Sequence, residues 1–504
     1  MLDEAAAQVP DAHAVRDAAG LWSYRRLNAF SHAFADWLRE HGVGRGDRVV
    51  LQLPSSREMV AMFHGTSRRG GIFVPLNPAM KQFHLRSVVE NAEPKLVIAD
   101  GDAVARMREV VSAPVYDLAE LWPDVTERYE GYDIPDGSAP GASHAPQSNA
   151  EPVHPDDVAA LIYTSGSTAA PKAVVSPHRQ VTFASRALTE ALGYRRDDVV
   201  FCRFPMSWDY GLYKVLMACI ARCEIVLADG ESDFVLLKRM RETGVTIVPI
   251  VPSLATMITQ LARRDRQDPP PVRMFTNTGA ALPQSTIDAL RKHFPGARVV
   301  RQYGQTEAKR ITVMPPEQEL ERPASVGLPL PGTRVLILDP DGTPVRAGET
   351  GEIVAEGPHV MRGYWRNPEV TGRTFRRDPA GGAPRLHTGD YGSLDEDGYL
   401  YFEGRRDDMF KRKGFRMSTL EIESAAMDIP GVRAAAALPP GDRHDLALFV
   451  ESDLDAHTVT DELMQRLELA KMPAVVRVLT EFPFTLHGKN ARQELTALLD
   501  GGDQ

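Results

Sequence analysis

Apolar positions in the first hundred residues alternate between the spacing typical of helices and short continuous runs typical of buried strands. Residues 22–39 carry apolar side chains at helical spacing, and residues 48–53 form a short apolar run that predicts a strand. Further strands are predicted at residues 72–76 and 95–99, with a helix at residues 85–92 between them. Strands that alternate with helices predict an α/β fold whose mostly parallel sheet is covered on both faces.

Capping and turn signals divide this alternation into elements. Ser55 and Glu58 have the three-residue spacing of a capping box, which predicts that Ser55 is the N-cap of the second helix. Residues 136–152 are poor in apolar side chains and rich in Pro, Ser, Ala and Gly, which predicts a mobile surface linker. Beyond it the alternation resumes, with strands predicted at residues 224–227, 246–251, 274–277 and 298–302.

The pattern changes near residue 327. Residues 327–404 combine short predicted strands with many glycines, which indicates a β-rich subdomain. After residue 405 a compact α+β tail follows, with apolar strands predicted at residues 434–438 and 447–450. The chain therefore divides into a large α/β part, a β-rich part and a small α+β part.

Composition and charge favour a multidomain cytoplasmic protein. The chain has 504 residues, of which 43% are hydrophobic, enough for more than one core. The net charge of −10 provides no overall positive charge for binding nucleic acid. Cys202, Cys219 and Cys223 are too few for a disulfide framework, so we expect packed thiols in a reducing compartment. The sequence shows neither a signal-peptide layout nor a membrane-spanning apolar run, so we expect no membrane partner.

Residues 161–178, LIYTSGSTAAPKAVVSPH, place a loop of small and hydroxylated side chains between two apolar runs. Small side chains let the backbone N–H groups approach a polyphosphate, and a lysine adds a mobile positive charge. A turn between two strands is the structural alternative. The candidate phosphate ligands are Thr164, Ser165, Gly166, Ser167, Thr168 and Lys172.

This string closely resembles the phosphate-loop signature of the adenylate-forming superfamily, which comprises acyl-CoA synthetases, luciferases and peptide-synthetase adenylation domains. The resemblance implies an ATP-binding enzyme that joins a carboxylate to AMP. Ala169 and Ala173 stand where the superfamily usually has glycines. This departure predicts a stiffer loop and slower turnover, and it keeps open a non-catalytic nucleotide-binding protein.

Residues 298–307, RVVRQYGQTE, form a predicted strand that runs into a loop, where open α/β sheets bind ligands. Tyr303 offers a ring for a flat base, Thr306 can bond a phosphate or carboxylate, and Glu307 can hold Mg²⁺. The string is similar to the superfamily's aromatic-Gly-x-Thr-Glu motif, and residues 276–283 resemble its adenine loop. The resemblance implies adenine and ribose contacts from Gly279, Ala280, Ala281, Gln302, Tyr303, Gly304, Asp390 and Arg405.

The C-terminal part carries two further resemblances. Residues 405–416 can be only a solvated charge run, but their position resembles the superfamily's hinge, with Asp407 as the pivot. The resemblance implies a large domain at residues 1–406 and a small mobile lid domain at residues 407–504. Residues 483–492 resemble the superfamily's C-terminal lysine loop, so Lys489 is the expected catalytic lysine, whose ammonium stabilises charge on the reacting phosphate.

Asp209 falls in a segment that resembles the superfamily's acid pocket, at a position where amino-acid-activating members keep an aspartate for the substrate ammonium. A plain fatty-acid pocket has no use for a buried carboxylate, although a carboxylate bonded to nearby backbone is the alternative. Lys309 and Arg310 can hold a second carboxylate, unless both face outward. The resemblance extends the pocket wall to Tyr210, Tyr213, Pro249, Thr276, Thr278, Gln302 and Ile311.

One amine site and one extra carboxylate site predict an aspartate-like substrate, such as 3-methylaspartate. This combination resembles the stand-alone β-amino-acid-adenylating enzymes of macrolactam antibiotic biosynthesis. The resemblance implies ATP and Mg²⁺ as cofactors, pyrophosphate release, and transfer of the acyl group to the phosphopantetheine thiol of a separate acyl or peptidyl carrier protein. An acyl-CoA synthetase for a non-amino acid and a non-catalytic nucleotide-binding protein are the alternatives.

Overall fold

The computed structural model describes most of the chain. The described residues are 1–80, 82–130, 152–164, 171–228, 230–377, 381–405, 409–412, 415–441, 444–467, 469–484 and 490–500. The predicted linker lies outside these ranges, apart from Pro152, and so does the predicted domain boundary at residues 406–407. Within the described ranges, no helix has both the length and the apolar character needed to cross a bilayer.

Fifteen α-helices lie within the described ranges. In chain order they are α1 (Leu2–Gln8), α2 (Tyr24–Glu40), α3 (Arg57–Arg68), α4 (Gln82–Ala92), α5 (Asp102–Val110), α6 (Leu118–Glu130), α7 (His178–Ala191), α8 (Asp209–Ala221), α9 (Leu236–Glu242), α10 (Pro252–Arg264), α11 (Gln284–His293), α12 (Pro368–Thr374), α13 (Thr419–Met427), α14 (Ala456–Met464) and α15 (Arg492–Asp500).

Twenty-five strands lie in the same ranges. They are β1 (His13–Asp17), β2 (Gly20–Ser23), β3 (Arg48–Gln52), β4 (Ile72–Pro75), β5 (Leu96–Ala99), β6 (Val115–Asp117), β7 (Val158–Thr164), β8 (Lys172–Pro177), β9 (Val199–Cys202), β10 (Glu224–Leu227), β11 (Ile247–Ile250), β12 (Met274–Asn277), β13 (Arg298–Tyr303), β14 (Thr312–Val313), β15 (Leu328–Pro329), β16 (Arg334–Leu338), β17 (Gly351–Glu356), β18 (Phe375–Arg377), β19 (Pro384–Leu394), β20 (Leu400–Arg405), β21 (Met409–Arg412), β22 (Phe415–Ser418), β23 (Val432–Leu438), β24 (Ala447–Ser452) and β25 (Val475–Leu479).

Two large sheets, both mostly parallel, form the N-terminal part. The first has six strands in the order β6-β5-β3-β4-β7-β8, and only the β7–β8 hairpin is antiparallel. The second has nine strands in the order β15-β14-β13-β12-β11-β9-β10-β1-β2, with a parallel centre and antiparallel pairs at both edges. The predicted mostly parallel α/β fold is confirmed.

The central strands bury both of their faces, as the sequence pattern predicted. In β3, Val49 and Leu51 belong to one hydrophobic cluster, whereas Val50 belongs to a second cluster on the opposite face. Alternate residues of a strand point to opposite faces, so helices must cover this sheet on both sides. Both faces therefore contribute apolar burial to folding.

The remaining sheets are smaller. Strands β16 to β20 form an antiparallel five-stranded sheet, which confirms the predicted β-rich subdomain. Strands β23 to β25 form a separate sheet, and β23 and β24 carry apolar clusters on both faces. The three cysteines are buried thiols, as predicted.

The predicted cap of the second long helix is wrong by one residue. The Oγ atom of Ser56, not that of Ser55, accepts the Met59 N–H at 3.3 Å and caps α3. Ser55 instead accepts the backbone N–H of Met206 at 2.8 Å. Two adjacent serines offer the same capping chemistry, so the local pattern did not decide between them. Ser55 is bonded to a distant backbone N–H, and Ser56 is the cap.

His359 is a buried group whose protonation opposes folding. Its ring is fully buried, and neither ring nitrogen has a hydrogen-bond partner among the described residues. Burial lowers the pKa of His359 from 6.5 to about 4. The unfolded chain therefore takes up a proton here below pH 6.5, while the folded chain does not until about pH 4, so stability falls as pH falls through that window.

Replacing His359→Leu should remove this acid penalty. Between about pH 7.5 and about pH 4.5, the wild-type protein should lose roughly 2 to 3 kcal/mol more unfolding free energy than the variant. Urea unfolding at both pH values measures this difference. His457→Leu is the control, because that imidazole is 86% exposed and the variant should follow the wild type. Equal acid losses in His359→Leu and wild type would contradict the assignment.

Candidate active site

The phosphate-loop segment is a β-hairpin. Strands β7 and β8 pair with Thr164 opposite Lys172, and the Thr164 hydroxyl donates to the Lys172 carbonyl oxygen at 3.4 Å. The Lys172 Nζ atom lies 5.8 Å from the centre of the Tyr364 ring. The candidate ligands at the loop tip, Ser165, Gly166, Ser167 and Thr168, lie outside the described residues, and their roles stay predictions. The hairpin places Thr164 and Lys172 at the two ends of that loop.

The loop that follows β13 contacts both halves of the site. The Glu307 Oε1 atom accepts a hydrogen bond from the Tyr364 hydroxyl at 2.7 Å. The Thr306 hydroxyl lies 3.4 Å from the Asp209 Oδ1 atom, on the acid side. One short loop therefore presents a candidate metal ligand next to the phosphate hairpin and a hydroxyl next to the acid pocket.

Asp390 is the centre of the expected ribose site. Its Oδ2 atom accepts from the Tyr303 hydroxyl at 2.7 Å and from the Gln305 amide at 2.8 Å, and its Oδ1 atom lies 3.3 Å from Arg405 Nε. Strand pairing sets Asp390 opposite Arg405. Burial raises the pKa of Asp390, an effect that Arg405 and the hydrogen bonds partly offset. The structure thus brings these predicted residues together around one carboxylate.

Tyr303 differs in detail from the sequence expectation. Its ring is 8% exposed and packs against Phe402, with 5.3 Å between ring centroids. Its hydroxyl is already bonded to Asp390. Tyr303 therefore supports the ribose carboxylate as well as presenting a ring, a second role that its sequence motif did not indicate.

The predicted adenine loop follows β12. Gly279 has a φ of +87°, a left-handed conformation that favours glycine. The Asn277 side-chain amide donates to the Ala280 carbonyl oxygen at 2.8 Å and fixes the turn. Gly279, Ala280 and Ala281 are exposed, whereas Thr278 is buried. An exposed loop of small residues gives a flat ligand close access to the backbone.

Asp209 begins helix α8 and forms an ion pair with the buried Lys309. The Lys309 Nζ atom lies 2.9 Å from Asp209 Oδ2 and donates to the Asp209 backbone oxygen at 2.8 Å. Burial alone raises the pKa of Asp209, but the charges of Lys309 and Arg310 outweigh it and lower that pKa. Burial, opposed by Asp209, lowers the pKa of Lys309 to about 7. Lys309 is thus already bonded to Asp209, and both side chains face inward.

Lys309 also shows backbone strain. Its φ of +59° is a left-handed conformation that non-glycine residues adopt at a cost. The side chain is only 1% exposed. This conformation turns Lys309 toward Asp209 and lets its carbonyl oxygen accept the Arg310 Nη1 group at 2.6 Å. The turn therefore directs two consecutive cationic side chains inward, and an outward-facing pair is excluded.

Arg310 retains an unused donor. Its Nε atom donates to Gln302 Oε1 at 3.0 Å, and its guanidinium carbon lies 4.9 Å from the centre of the Tyr210 ring. The Nη2 atom is buried without a hydrogen-bond partner among the described residues, and so is Gln302 Nε2. Buried donors are nearly always satisfied in folded proteins, so two neighbouring exceptions indicate that an acceptor is needed here.

Two tyrosines of α8 pack beside the same cations. The Tyr210 hydroxyl donates to the Thr276 backbone oxygen at 2.6 Å, which fixes its ring beside Arg310. The Tyr213 ring lies 4.5 Å from Lys309 Nζ, and its hydroxyl is buried without a partner in the described part of the chain. Burial is the main cause that raises the pKa of both hydroxyls, so they remain protonated donors.

Three residues next to the site were missed by the sequence reasoning. Gln305 bonds Asp390, Tyr364 bonds Glu307, and Lys214 is buried 5.0 Å from the centre of the Tyr210 ring. Burial, together with the cations Arg310 and Lys309, lowers the pKa of Lys214 well below its usual value. A lysine within the apolar run of α8 was the available signal for Lys214, whereas Gln305 and Tyr364 had none beyond their position.

The donor set suits Mg²⁺ only if a nucleotide contributes ligands. No group of three or more His, Cys, Asp or Glu residues suitable for a metal occurs in the described ranges. Glu307 supplies a single carboxylate whose Oε1 atom is already held by Tyr364. Magnesium commonly binds one or two carboxylates together with substrate phosphates and water, which fits this arrangement. The predicted catalytic Lys489 and pivot Asp407 lie outside the described residues.

Comparison with known proteins places this site in a family. The family model described as AMP-binding enzyme matches residues 2–365. CymA, a probable nonribosomal peptide synthetase of Salinispora arenicola (strain CNS-205), is 31% identical over 98% of this chain, which spans 6% of the synthetase. The 3-hydroxybenzoate–CoA ligase of Aromatoleum sp. (strain CIB) is 30% identical, with 95% of this chain and 92% of the ligase covered.

Solved structures give a stronger similarity. VinN is 54% identical with a TM-score of 0.73, and the alignment covers 80% of this chain and 97% of VinN. The structure of VinN with 3-methylaspartate aligns over the same shares at 50% identity, with a TM-score of 0.66. VinN has also been solved with L-aspartate. These similarities confirm the resemblance to the stand-alone β-amino-acid-adenylating enzymes of macrolactam biosynthesis, specifically those of the vicenistatin type.

Replacing Asp390→Asn should weaken nucleotide binding selectively. The amide keeps the size of the side chain but removes the charge that Arg405 pairs with, and charged hydrogen bonds contribute about 1.5 to 3 kcal/mol. We expect KM for ATP to rise about tenfold to a hundredfold in pyrophosphate exchange, with KM for the acid little changed.

Asp397→Asn is the matched control for this prediction, because Asp397 is 66% exposed and outside the site. Calorimetric binding of ATP to both variants separates affinity from turnover. An unchanged ATP affinity in Asp390→Asn would show that this carboxylate does not contribute to nucleotide binding.

Proposed function

Since the chain belongs to the family of AMP-binding enzymes and is an ATP-dependent adenylate-forming ligase, we propose that it activates a dicarboxylic, aspartate-like amino acid. The observation that carries the proposal is the buried Nη2 atom of Arg310, which has no hydrogen-bond partner among the described residues and lies beside the Asp209–Lys309 ion pair. The acyl group then passes to the phosphopantetheine thiol of a separate carrier protein.

The charges of the chamber favour an added anion. Asp209 and Lys309 neutralise each other at 2.9 Å, which leaves the guanidinium of Arg310 without an acidic partner among the described residues. Arg310 is only 3% exposed, so water compensates little of its charge. A second substrate carboxylate would balance this charge, and Asp209 remains available to accept a substrate ammonium.

The hydrogen-bond donors support the same substrate. Arg310 Nη2, Gln302 Nε2 and the Tyr213 hydroxyl are buried donors without partners in the described ranges. A carboxylate has two oxygens and about four acceptor positions, and it can meet a guanidinium edge with both oxygens. A plain acyl chain would leave the guanidinium buried and unpaired, which is costly. The chamber therefore favours an anionic acid over the simple acid of the acyl-CoA synthetase alternative.

The comparisons support this assignment of substrate class. VinN has been solved with L-aspartate and with 3-methylaspartate, both of which carry one amine and two carboxylates. The proposal extends that substrate class to this chain because its own chamber contains a carboxylate and two buried cations.

In the proposed reaction the substrate carboxylate attacks the α-phosphate of ATP, a carboxyl–phosphate bond forms, and pyrophosphate leaves. Asp390 and Arg405 hold the ribose, and Thr306 lies where it can bond the reacting carboxylate or phosphate. Bound Mg²⁺ neutralises phosphate charge, and Glu307 would hold it. Lys489, by the superfamily resemblance, places its ammonium near the developing negative charge without abstracting a proton.

A cavity next to the acid chamber supports access for a thiol acceptor. It has a volume of about 590 Å³ and is lined by Trp208, the residue before Asp209, and by Arg203, Val251 and Ser253 among others. A narrow arm such as phosphopantetheine fits a cavity of this size. Both a carrier protein and free CoA present this arm, so the acceptor must be separated by experiment.

A pyrophosphate-exchange panel tests the substrate class. L-aspartate and 3-methylaspartate should exchange faster than β-alanine and alanine, which lack the second carboxylate, and faster than succinate, which lacks the amine. The reason is that each analogue lacks one of the two groups that Arg310 and Asp209 are proposed to bind. Equal rates for aspartate and a simple fatty or aryl acid would remove the basis for the proposal.

Arg310→Met should weaken the binding of substrates that carry a second carboxylate. We expect KM for aspartate to rise about tenfold to a hundredfold, while the preference for aspartate over succinate stays unchanged. Arg298→Ala is the control, because Arg298 begins β13, the strand that leads into the turn carrying Arg310, and is 51% exposed. Exchange kinetics with both acids measure the effect, and an unchanged KM for aspartate would exclude Arg310 as the anchor.

We expect the enzyme to transfer the acyl group to a carrier protein in preference to free CoA. With preformed aminoacyl-adenylate, we expect faster thioester formation on a holo acyl carrier protein than on free CoA at equal concentration, because a protein partner adds surface contacts to those of the arm. The same carrier without its phosphopantetheine arm is the control. Equal or faster transfer to CoA, read by mass spectrometry, would favour the synthetase alternative.

A further inference from the structure

Residues 361–365 connect the two halves of the nucleotide site. The segment runs along β8, the edge strand that leaves the phosphate loop: Val175 N–H donates to the Gly363 oxygen at 2.9 Å, and Trp365 N–H donates to the Ala173 oxygen at 2.8 Å. At its other end, Met361 N–H donates to the Glu307 backbone oxygen at 2.8 Å. The segment therefore joins the edge of the six-stranded sheet to the loop after β13.

Tyr364 lies at the centre of this connection. Its hydroxyl donates to Glu307 Oε1 at 2.7 Å, and its ring centre is 5.8 Å from Lys172 Nζ. One side chain thus contacts both the candidate metal ligand and the candidate phosphate lysine.

The backbone around Tyr364 is held in place. Tyr364 N–H donates to the Thr371 hydroxyl at 2.9 Å. Gly363 has a φ of +129°, and a Cβ atom there would lie 2.4 Å from Thr371 Cγ2, so only glycine fits. The ring also meets Phe375 edge-on, with 5.6 Å between centroids. The Tyr364 side chain is thus fixed both at its backbone and at its ring, and it can hold its hydroxyl at a defined point.

We propose that Tyr364 is a positioning residue that fixes the Glu307 carboxylate relative to Lys172 on strand β8, so that a divalent cation and the ATP phosphates bind as one unit. The inference rests on the proposed role of Glu307 as the metal ligand. A hydrogen bond to one carboxylate oxygen orients the group and leaves the other oxygen for a cation. Without the hydroxyl, Glu307 would sample rotamers that do not face the phosphates.

Tyr364→Phe removes only the hydroxyl and keeps the ring beside Lys172. We expect ATP binding without metal to stay unchanged, while the factor by which Mg²⁺ strengthens ATP binding falls about tenfold, within the range for residues that orient metal ligands. Calorimetry with ATP alone and with ATP plus Mg²⁺ measures that factor. The Mg²⁺ concentration for half-maximal pyrophosphate exchange should rise to a similar extent, with KM for the amino acid unchanged.

Tyr24→Phe is the matched control. It also removes a buried hydroxyl, one that donates to the Cys223 oxygen at 2.8 Å and the Ala218 oxygen at 3.0 Å in helix packing outside the site. This variant should lose stability without a change in the Mg²⁺ factor. A Tyr364→Phe protein that is less stable but retains the wild-type factor would show a purely structural role and overturn the inference.

Glu307→Gln separates this inference from the proposed function. If Glu307→Gln removes the Mg²⁺ effect and Tyr364→Phe does not, the positioning role is wrong and the metal role of Glu307 stands. If Glu307→Gln leaves the Mg²⁺ effect intact, the metal role fails and the inference fails with it. Loss of the effect in both variants, with metal-free ATP binding retained, supports both.

Discussion

The tight turn between β13 and β14 is the constraint on which the site depends. Tyr303 pairs with Thr312 across two antiparallel strands, so the intervening residues must reverse direction over a short distance. A Cβ atom at Gly304 would lie 2.6 Å from the Arg310 Cα atom, so the turn closes only because that residue is glycine. The left-handed backbone of Lys309 completes the reversal. Strain at this turn is offset by the contacts that its side chains make.

That turn brings the proposed nucleotide residues and the proposed acid-binding residues together in one short segment. Gln305 reaches the ribose carboxylate Asp390, Glu307 faces the phosphate hairpin through Tyr364, and Lys309 bonds Asp209 in the acid chamber. A ligand bound at one end of the loop therefore shares a rigid backbone with a ligand bound at the other. This arrangement suits a reaction in which a carboxylate must meet an α-phosphate in a fixed geometry.

The charged residues around Asp209 reduce the stability of the fold, and we interpret them as serving recognition of the substrate acid. Lys309 and Arg310 are each at most 3% exposed, and Asp209 is the acidic group that the structure places beside them. Apolar side chains of similar volume would fold more favourably than such a group of charges. The buried donors that lack an acceptor in the described part of the chain support the same conclusion, since a bound carboxylate would satisfy them. The buried cations are therefore best explained by a role in binding a substrate carboxylate.

The sequence alone determined the fold class, the alternation of strands and helices, and the segments in which the candidate site residues lie. These features follow from local periodicity and from short motifs with a defined chemistry. The sequence did not identify Ser56 as the helix cap, because two adjacent serines are chemically equivalent. Ser55 instead accepts a hydrogen bond from a distant backbone group. Only the tertiary structure showed that Lys309 pairs with Asp209 while Arg310 keeps an open donor, and that Tyr364 bonds Glu307 from 57 positions away. Such pairings depend on how separate sheets pack against each other, which no local pattern encodes.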